Sequence, residues 1–193
     1  MRSQEVEVIK LLLENRETEL SINQIAKRWK KDYKSVHNIV TRLAQLKLIQ
    51  LQLFGKSYRV NLVNKVHPLI FEAEYLRKNK FLKNKDFAVL YDSFKSLRST
   101  FYILLLFGSY AKKKQTKHSD IDLLFIVPDA AEEKMEKEIQ NIARTLPLNI
   151  HLNIFNETDF KTMKNSKEIT VGSEAIKNNI IFHGLEMYYD LIQ

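Results

Sequence analysis

Residues 101–127, FYILLLFGSYAKKKQTKHSDIDLLFIV, constrain this chain more than any other stretch. Two apolar runs, 101–107 and 123–127, have the length and composition of buried strands rather than helices. Between them lie Gly108-Ser109, a Lys-rich polar segment, and Asp120-Ile121-Asp122. Gly108 lets the backbone turn sharply and a ligand approach, because it has no Cβ. A helix starting at Ser109 would aim its free N–H groups and the hydroxyl at an anion. Alternation along the second strand puts Asp120 and Asp122 on one face, about 7 Å apart. Two carboxylates so placed repel unless a cation lies between them. Mg²⁺ takes a few carboxylate oxygens together with phosphate oxygens. The spacing predicts a triphosphate cradle facing a metal-binding pair.

Gly-Ser, ten residues, Asp-x-Asp is a signature, and Gly108, Ser109, Asp120 and Asp122 fit it without a gap. On these residues, with Tyr110-Ala111 and residues 119–124 (SDIDLL), the chain resembles the nucleotidyltransferase superfamily of DNA polymerase β, most closely its minimal prokaryotic members. That resemblance implies Mg²⁺ or Mn²⁺ on Asp120 and Asp122, and ATP or another nucleoside triphosphate as substrate. Gly108 and Ser109 would hold its β- and γ-phosphates, with Lys112 to Lys114 steering the nucleotide. The family often has a Gly soon after the Ala, where this chain has three lysines.

The third expected strand, residues 148–155 (LNIHLNIF), departs from the pattern. Ile150, Leu152 and Ile154 share one face, leaving Asn149, His151 and Asn153 on the other, where the superfamily places a third carboxylate. Counting back from Thr158-Asp159-Phe160 makes His151 the replacement. A neutral imidazole accepts a proton, or ligates Mn²⁺ or Zn²⁺, but is a poor Mg²⁺ ligand. Two readings follow: an enzyme with altered proton transfer, or a domain that binds nucleotide or partner without catalysis.

Charge is unevenly distributed. Of the net +8 over 193 residues, residues 1–66 carry +7 and residues 67–193 only +1. Such asymmetry points to a polyanion-binding module. Apolar spacing predicts helices over 3–14, 22–29 and 33–46, with Ser21 and Asp32 as caps and Val36, Ile39, Val40, Leu43 and Leu46 buried on the third. Its outer face carries Lys34, Ser35, His37, Asn38, Thr41 and Arg42, side chains suited to phosphates and base edges. Residues 48–54 and 58–63 form a hairpin tipped by Gly55-Lys56-Ser57. Three helices and a hairpin resemble a winged helix-turn-helix domain, which implies that the third helix enters the major groove and that Lys56 and Arg59 meet the backbone. The alternative is a small domain that docks on protein.

The expected organisation is a two-domain α+β or α/β chain. It comprises a winged helix-turn-helix over 1–66, a helical connector over 67–98 and a nucleotidyltransferase fold with a mixed sheet over 99–193. The connector includes an amphipathic helix at 87–97. Beyond the central strands, a helix at 131–146, a short strand at 180–182, a turn at Gly184 and a terminal helix are expected. Absent cysteines exclude disulfides and Cys-based zinc sites. The N-terminus carries no signal-type apolar stretch and no run approaches a membrane span, so a cytoplasmic protein without a membrane partner is expected. Resemblance to minimal nucleotidyltransferases implies a possible pairing with a small HEPN-type ribonuclease toxin, sometimes AMPylated on tyrosine, with the DNA-binding domain serving autoregulation. Other members modify aminoglycosides. A homodimer is left open.

Overall fold

A computed structural model describes residues 3–55, 57–99 and 101–193. It divides into two compact units, one running to Leu76 and the other Arg77–Ile192.

The first unit opens with α1 (Gln4–Leu13), capped by Ser3, whose hydroxyl accepts from the Val6 N–H. A two-residue strand, β1 (Leu20–Ser21), leads into α2 (Ile22–Trp29). Ser21 and Gln24 form a reciprocal capping box, and Asp32 caps α3 (Tyr33–Gln45) by accepting from the Ser35 N–H. A cap of this kind contributes about 1 kcal/mol. Val6, Ile9, Leu13, Ile25, Val36, Val40 and Leu43 form the buried stripe of the three helices. Leu46, expected in the core, is exposed. The helix ends at Gln45 and Leu46 is its C-cap, where the 3.6-residue stripe no longer governs direction. Strands β2 (Ile49–Phe54) and β3 (Ser57–Leu62) form the expected hairpin in uninterrupted antiparallel register. β1 joins the far side of β3, giving the order β1-β3-β2. This third strand has no sequence signal, because two residues are too few to show alternation. Among the described residues, α1–α3 followed by the β2–β3 hairpin have the element order of a winged helix-turn-helix.

The boundary between units falls within α4 (Pro68–Phe81), followed by α5 (Lys85–Phe94) and a 3₁₀ turn at Lys95–Ser99. Glu74 and Arg77 of α4 are buried, not the solvated charges of a plain connector. The Arg77 guanidinium donates to the Asn179 carbonyl at 2.7 Å. Strand β4 (Ile103–Leu106) is shorter than the apolar run that contains it, and Phe101 is exposed. After the single turn α6 (Gly108–Ala111), β5 (Ile121–Val127) returns antiparallel to β4. Helix α7 (Glu132–Thr145) then crosses over to β6 (Ile150–Asn156), which runs parallel to β5. Two short helices follow, α8 (Glu157–Asn165) and α9 (Val171–Lys177). Strand β7 (Ile180–His183) pairs antiparallel with β4, and α10 (Leu185–Ile192) closes the unit. The mixed sheet has the order β6-β5-β4-β7.

Every residue of β4, and every residue of β5 except Asp122, is buried, as a strand covered on both faces requires. Phe87, Leu90 and Phe94 of α5 and Met135 and Ile139 of α7 pack with Leu104, Leu106, Leu123, Phe125 and Val127. Phe94 meets Phe125 edge-on at 4.9 Å, and the Tyr102 hydroxyl donates to the Phe94 carbonyl at 2.9 Å.

Gly184 turns the chain from β7 into α10 at φ +75°, where a Cβ would stand 2.5 Å from the Tyr102 carbonyl oxygen. That obstacle is backbone and cannot swing away. Gly184→Ala is expected to cost about 2–3 kcal/mol, lowering the Tm of the C-terminal unit by roughly 5–10 °C in a thermal melt followed by circular dichroism.

Candidate functional site

Parallel pairing of β5 with β6 builds the site. Register sets Asp122 opposite His151, and Ile121 opposite Ile150. Residues paired in this way share a face, so the carboxylate strand and the strand lacking a carboxylate present their polar side chains together. The Ile121 N–H donates to the Asn149 carbonyl at 2.8 Å, and the Phe107 N–H donates to the Asp122 carbonyl at 3.0 Å. Asp120 and Asp122 are thus anchored from both neighbouring strands.

The side chains pair off. Asn149 Nδ2 donates to Asp120 Oδ1 in a short hydrogen bond. His151 Nδ1 lies 3.1 Å from Asp122 Oδ1. The Asp122 side chain is 24% exposed and that of His151 62%, so the carboxylate is sheltered while the imidazole remains open to a ligand. Asn153, third on this face, lies 3.5 Å from the Leu123 carbonyl and takes no part.

Gly108 sits against Asp122. Its φ is +65°, and a Cβ there would fall 2.0 Å from Asp122 Oδ2 and 2.8 Å from Cγ. The residue therefore leaves room for the carboxylate as well as for the turn. The α6 turn that follows is closed by the Lys112 N–H to the Gly108 carbonyl at 3.1 Å and the Lys114 N–H to the Ser109 carbonyl at 2.9 Å. Lys113 occupies a left-handed conformation, φ +55°. A lysine thus holds a conformation that glycine adopts at less cost, within the lysine run where the resembling family often carries glycine.

The approach to Asp120 is stiffened by a contact the sequence does not announce. Ser119 Oγ accepts from the Thr116 N–H at 2.9 Å, and the Ser119 N–H donates to the Thr116 carbonyl at 3.2 Å. Lys112, expected at the triphosphate, pairs with Glu174 of α9 at 3.2 Å. Hydrogen bonds from Lys177 and then Lys112 hold the Glu174 carboxyl below its ordinary range. Asn149 and Glu174 are the participants that sequence reasoning left without a role. Asn149 becomes legible only once β6 is known to be parallel, and Glu174 lies 62 residues from Lys112.

Asp120 and Asp122 are hard oxygen donors, and the missing Cβ at Gly108 gives the Asp122 carboxylate its place. Both features suit Mg²⁺ or Mn²⁺ completed by phosphate and water oxygens. Among the described residues, no cluster of three or more His, Cys, Asp or Glu could enclose a metal ion. The protein supplies at most part of such a coordination shell.

In the first unit, Lys34, His37, Asn38, Thr41 and Arg42 of α3 are exposed and Ser35 is half-buried. Arg42 pairs with Glu5 at 2.8 Å, the Thr41 hydroxyl donates to the His37 carbonyl at 2.9 Å, and Tyr33 stands 5.9 Å from the His37 ring. Arg59 pairs with Glu19 and lies over the Phe54 ring at 3.6 Å. Lys56 lies outside the described residues.

Two family models match parts of the chain. Residues 92–184, within the second unit, match the family described as Polymerase beta, Nucleotidyltransferase. Residues 1–64 match a family described as HVO_A0114. No curated protein matches the chain. Among solved structures, an S. aureus MepR–DNA complex aligns at 13% identity over 76% of this chain and 80% of that one. Its TM-score of 0.33 is too low to bear on fold or ligand. Among the described residues, no helix is long and apolar enough to cross a membrane.

Gly108→Ala tests the cradle. The Asp122 carboxylate can rotate away, so the fold is expected to survive with a loss of about 1–2 kcal/mol from backbone strain. Mn²⁺-dependent nucleotide binding, read by titration with a fluorescent ATP analogue, is expected to weaken about tenfold or more, or about 1.4 kcal/mol.

Proposed function

We propose that this chain transfers a nucleoside monophosphate, AMP from ATP, to a hydroxyl acceptor with release of pyrophosphate, and that its winged helix-turn-helix binds DNA. The observation that carries the first part is the Gly108–Asp122 cradle beside two carboxylates on one strand face, within residues that match a nucleotidyltransferase family.

Asp120 and Asp122 would hold the divalent cation, Mg²⁺ or Mn²⁺. When bound, the cation neutralises charge on the triphosphate and lowers the pKa of a coordinated hydroxyl. Asn149 orients Asp120 by donating to Oδ1, leaving Oδ2 for the ligand. Gly108 admits the triphosphate close to the backbone, with Ser109 beside it. Lys112 reaches the phosphates only by leaving Glu174, an exchange of one anionic partner for another. In the transfer, the acceptor oxygen bonds to the α-phosphorus while the bond to the β-phosphate bridge breaks and pyrophosphate departs. His151 stands beside the carboxylate pair as a base for the acceptor proton. With Nδ1–H donated to Asp122, it accepts that proton at Nε2. This assignment gives His151 the role that a third carboxylate plays in the resembling family.

The absence of a carboxylate on β6 also favours a second reading, a DNA-binding regulator whose nucleotidyltransferase domain binds nucleotide without turnover. Incubation with α-labelled ATP and Mg²⁺ or Mn²⁺, with and without lysate, separates the two. Label on a protein or small molecule with the wild type, and none with Asp120→Asn/Asp122→Asn, is the expected outcome. Retained metal-dependent ATP binding without transfer would establish the regulator instead. A labelled tyrosine on a small helical protein would identify the acceptor as a HEPN-type toxin and the chain as its antitoxin.

DNA binding rests on the exposed polar face of α3 and the +7 charge of residues 1–66. In the Arg42–Glu5 pair the guanidinium is exposed and the carboxylate half-buried; a pair at the surface contributes only about 0–1 kcal/mol, so phosphate can displace the carboxylate. Affinity for duplex DNA is expected to fall steeply with salt. Replacing Lys34 and Arg42 with Ala should weaken binding and flatten that slope by about one unit for each phosphate no longer neutralised. A flat slope in the wild type, measured by fluorescence anisotropy, would exclude this interface.

A further inference from the structure

We infer that the chain forms a two-fold homodimer by antiparallel pairing of β2 with β2 of a second copy, joining two wings into one six-stranded sheet. This surface is separate from the nucleotide site and does not rest on the function proposed above.

Among the described residues, strand β2 is the outer strand of the wing, with β3 as its strand neighbour in the order β1-β3-β2. An outer strand offers a row of unpaired backbone donors and acceptors, and proteins that stay monomeric protect it with charge, proline, a bulge or extreme shortness. The opposite edge is protected in that way, because β1 has two residues. β2 has six, Ile49-Gln50-Leu51-Gln52-Leu53-Phe54, with no charged residue and no proline. Its register with β3 is unbroken from Ile49–Leu62 to Phe54–Ser57, so no bulge twists the edge away.

The apolar face of the wing also extends past what the helices cover. Ile49 and Val60 are buried, but Leu51 is 37%, Leu53 66% and Tyr58 46% exposed. Leu53 and Tyr58 are cross-strand partners, so they form one continuous patch with Leu51. In a monomer this patch lies in water beside an open edge.

The sequence of β2 selects its own copy as occupant. In antiparallel pairing, directly opposed residues share a face. With Leu51 opposite Leu51 of the second copy, Gln50 meets Gln52 and Ile49 meets Leu53. With Gln52 opposite Gln52, Leu51 meets Leu53 and Gln50 meets Phe54. Both registers keep leucine beside leucine, a consequence of strict alternation between apolar residues and glutamine over residues 49–53. Charge leads to the same conclusion. Residues 1–66 carry +7, so two copies repel over most of that surface, yet β2 contributes no charge to oppose contact. The pairing closes, because the joined sheet ends on both sides in the two-residue β1.

The test uses the full chain. Sedimentation velocity at about tens of micromolar, a range chosen for moderate interfaces, is expected to show the wild type at twice the chain mass. Leu53→Lys places a charge on the exposed edge without disturbing the core. It is expected to weaken the dimer about tenfold or more while leaving the circular-dichroism spectrum of the folded chain unchanged. The absence of native cysteine permits a second readout. Opposed residues of an antiparallel pair have Cα atoms roughly 4.5–5.5 Å apart, within disulfide range. Leu51→Cys or Gln52→Cys chains should therefore form disulfide-linked dimers under mild oxidation, and a Gln140→Cys chain should not. A monomeric wild type would overturn the inference. So would a dimer indifferent to Leu53→Lys whose β2 cysteines cross-link no faster than Gln140→Cys, or a ladder of species larger than the dimer.

Discussion

The candidate active site depends on one backbone arrangement, the parallel pairing of β5 with β6. That register sets Asp122 against His151 and brings Asn149 onto Asp120. The same pairing requires a crossover, which α7 provides, and its Met135 and Ile139 help to bury Leu123, Phe125 and Val127. Polar chemistry at the start of β5 is therefore held by the apolar packing of the rest of that strand. A slip of one residue would turn every side chain to the other face, and burial of β5 opposes it.

Within this frame, Gly108 and Asp122 define each other. The carboxylate occupies the volume that a Cβ at position 108 would need, and the positive φ of Gly108 turns the chain away from β4 at that point. A glycine in a phosphate-binding turn is usually explained by ligand approach. Here it is required first by a neighbouring side chain. Lys113 takes a left-handed conformation five residues later without glycine, and the turn is instead closed by backbone hydrogen bonds.

The strand beside Asp122 carries His151 where the resembling family has a carboxylate. Asp122 fixes one ring nitrogen and leaves the other accessible on an exposed imidazole. Asn149 donates to Asp120 and His151 lies within hydrogen-bond distance of Asp122, so each carboxylate has a side-chain partner from the neighbouring strand segment.

Much of this was legible from the sequence because it is local. The bounds of α2, the Ser21–Gln24 box, the Asp32 cap and the hairpin follow from spacing and side-chain chemistry within a few residues. The Gly-Ser and Asp-x-Asp spacing pointed to a candidate site, because strand alternation would put Asp120 and Asp122 on one face. Tertiary structure decided what depends on partners distant in the chain. Strand β1 exists because β3 offers it an edge, Lys112 is held by a carboxylate on α9, and Asn149 gains a role from a strand running in parallel. Glu74 and Arg77 are buried within a segment expected only as a helical connector, and Leu46 is exposed although its spacing fits a buried stripe. The physical reason is the same in each case. Periodicity reports which face of an element is apolar, but which neighbour that face meets, and in what register, is set only when the chain closes on itself.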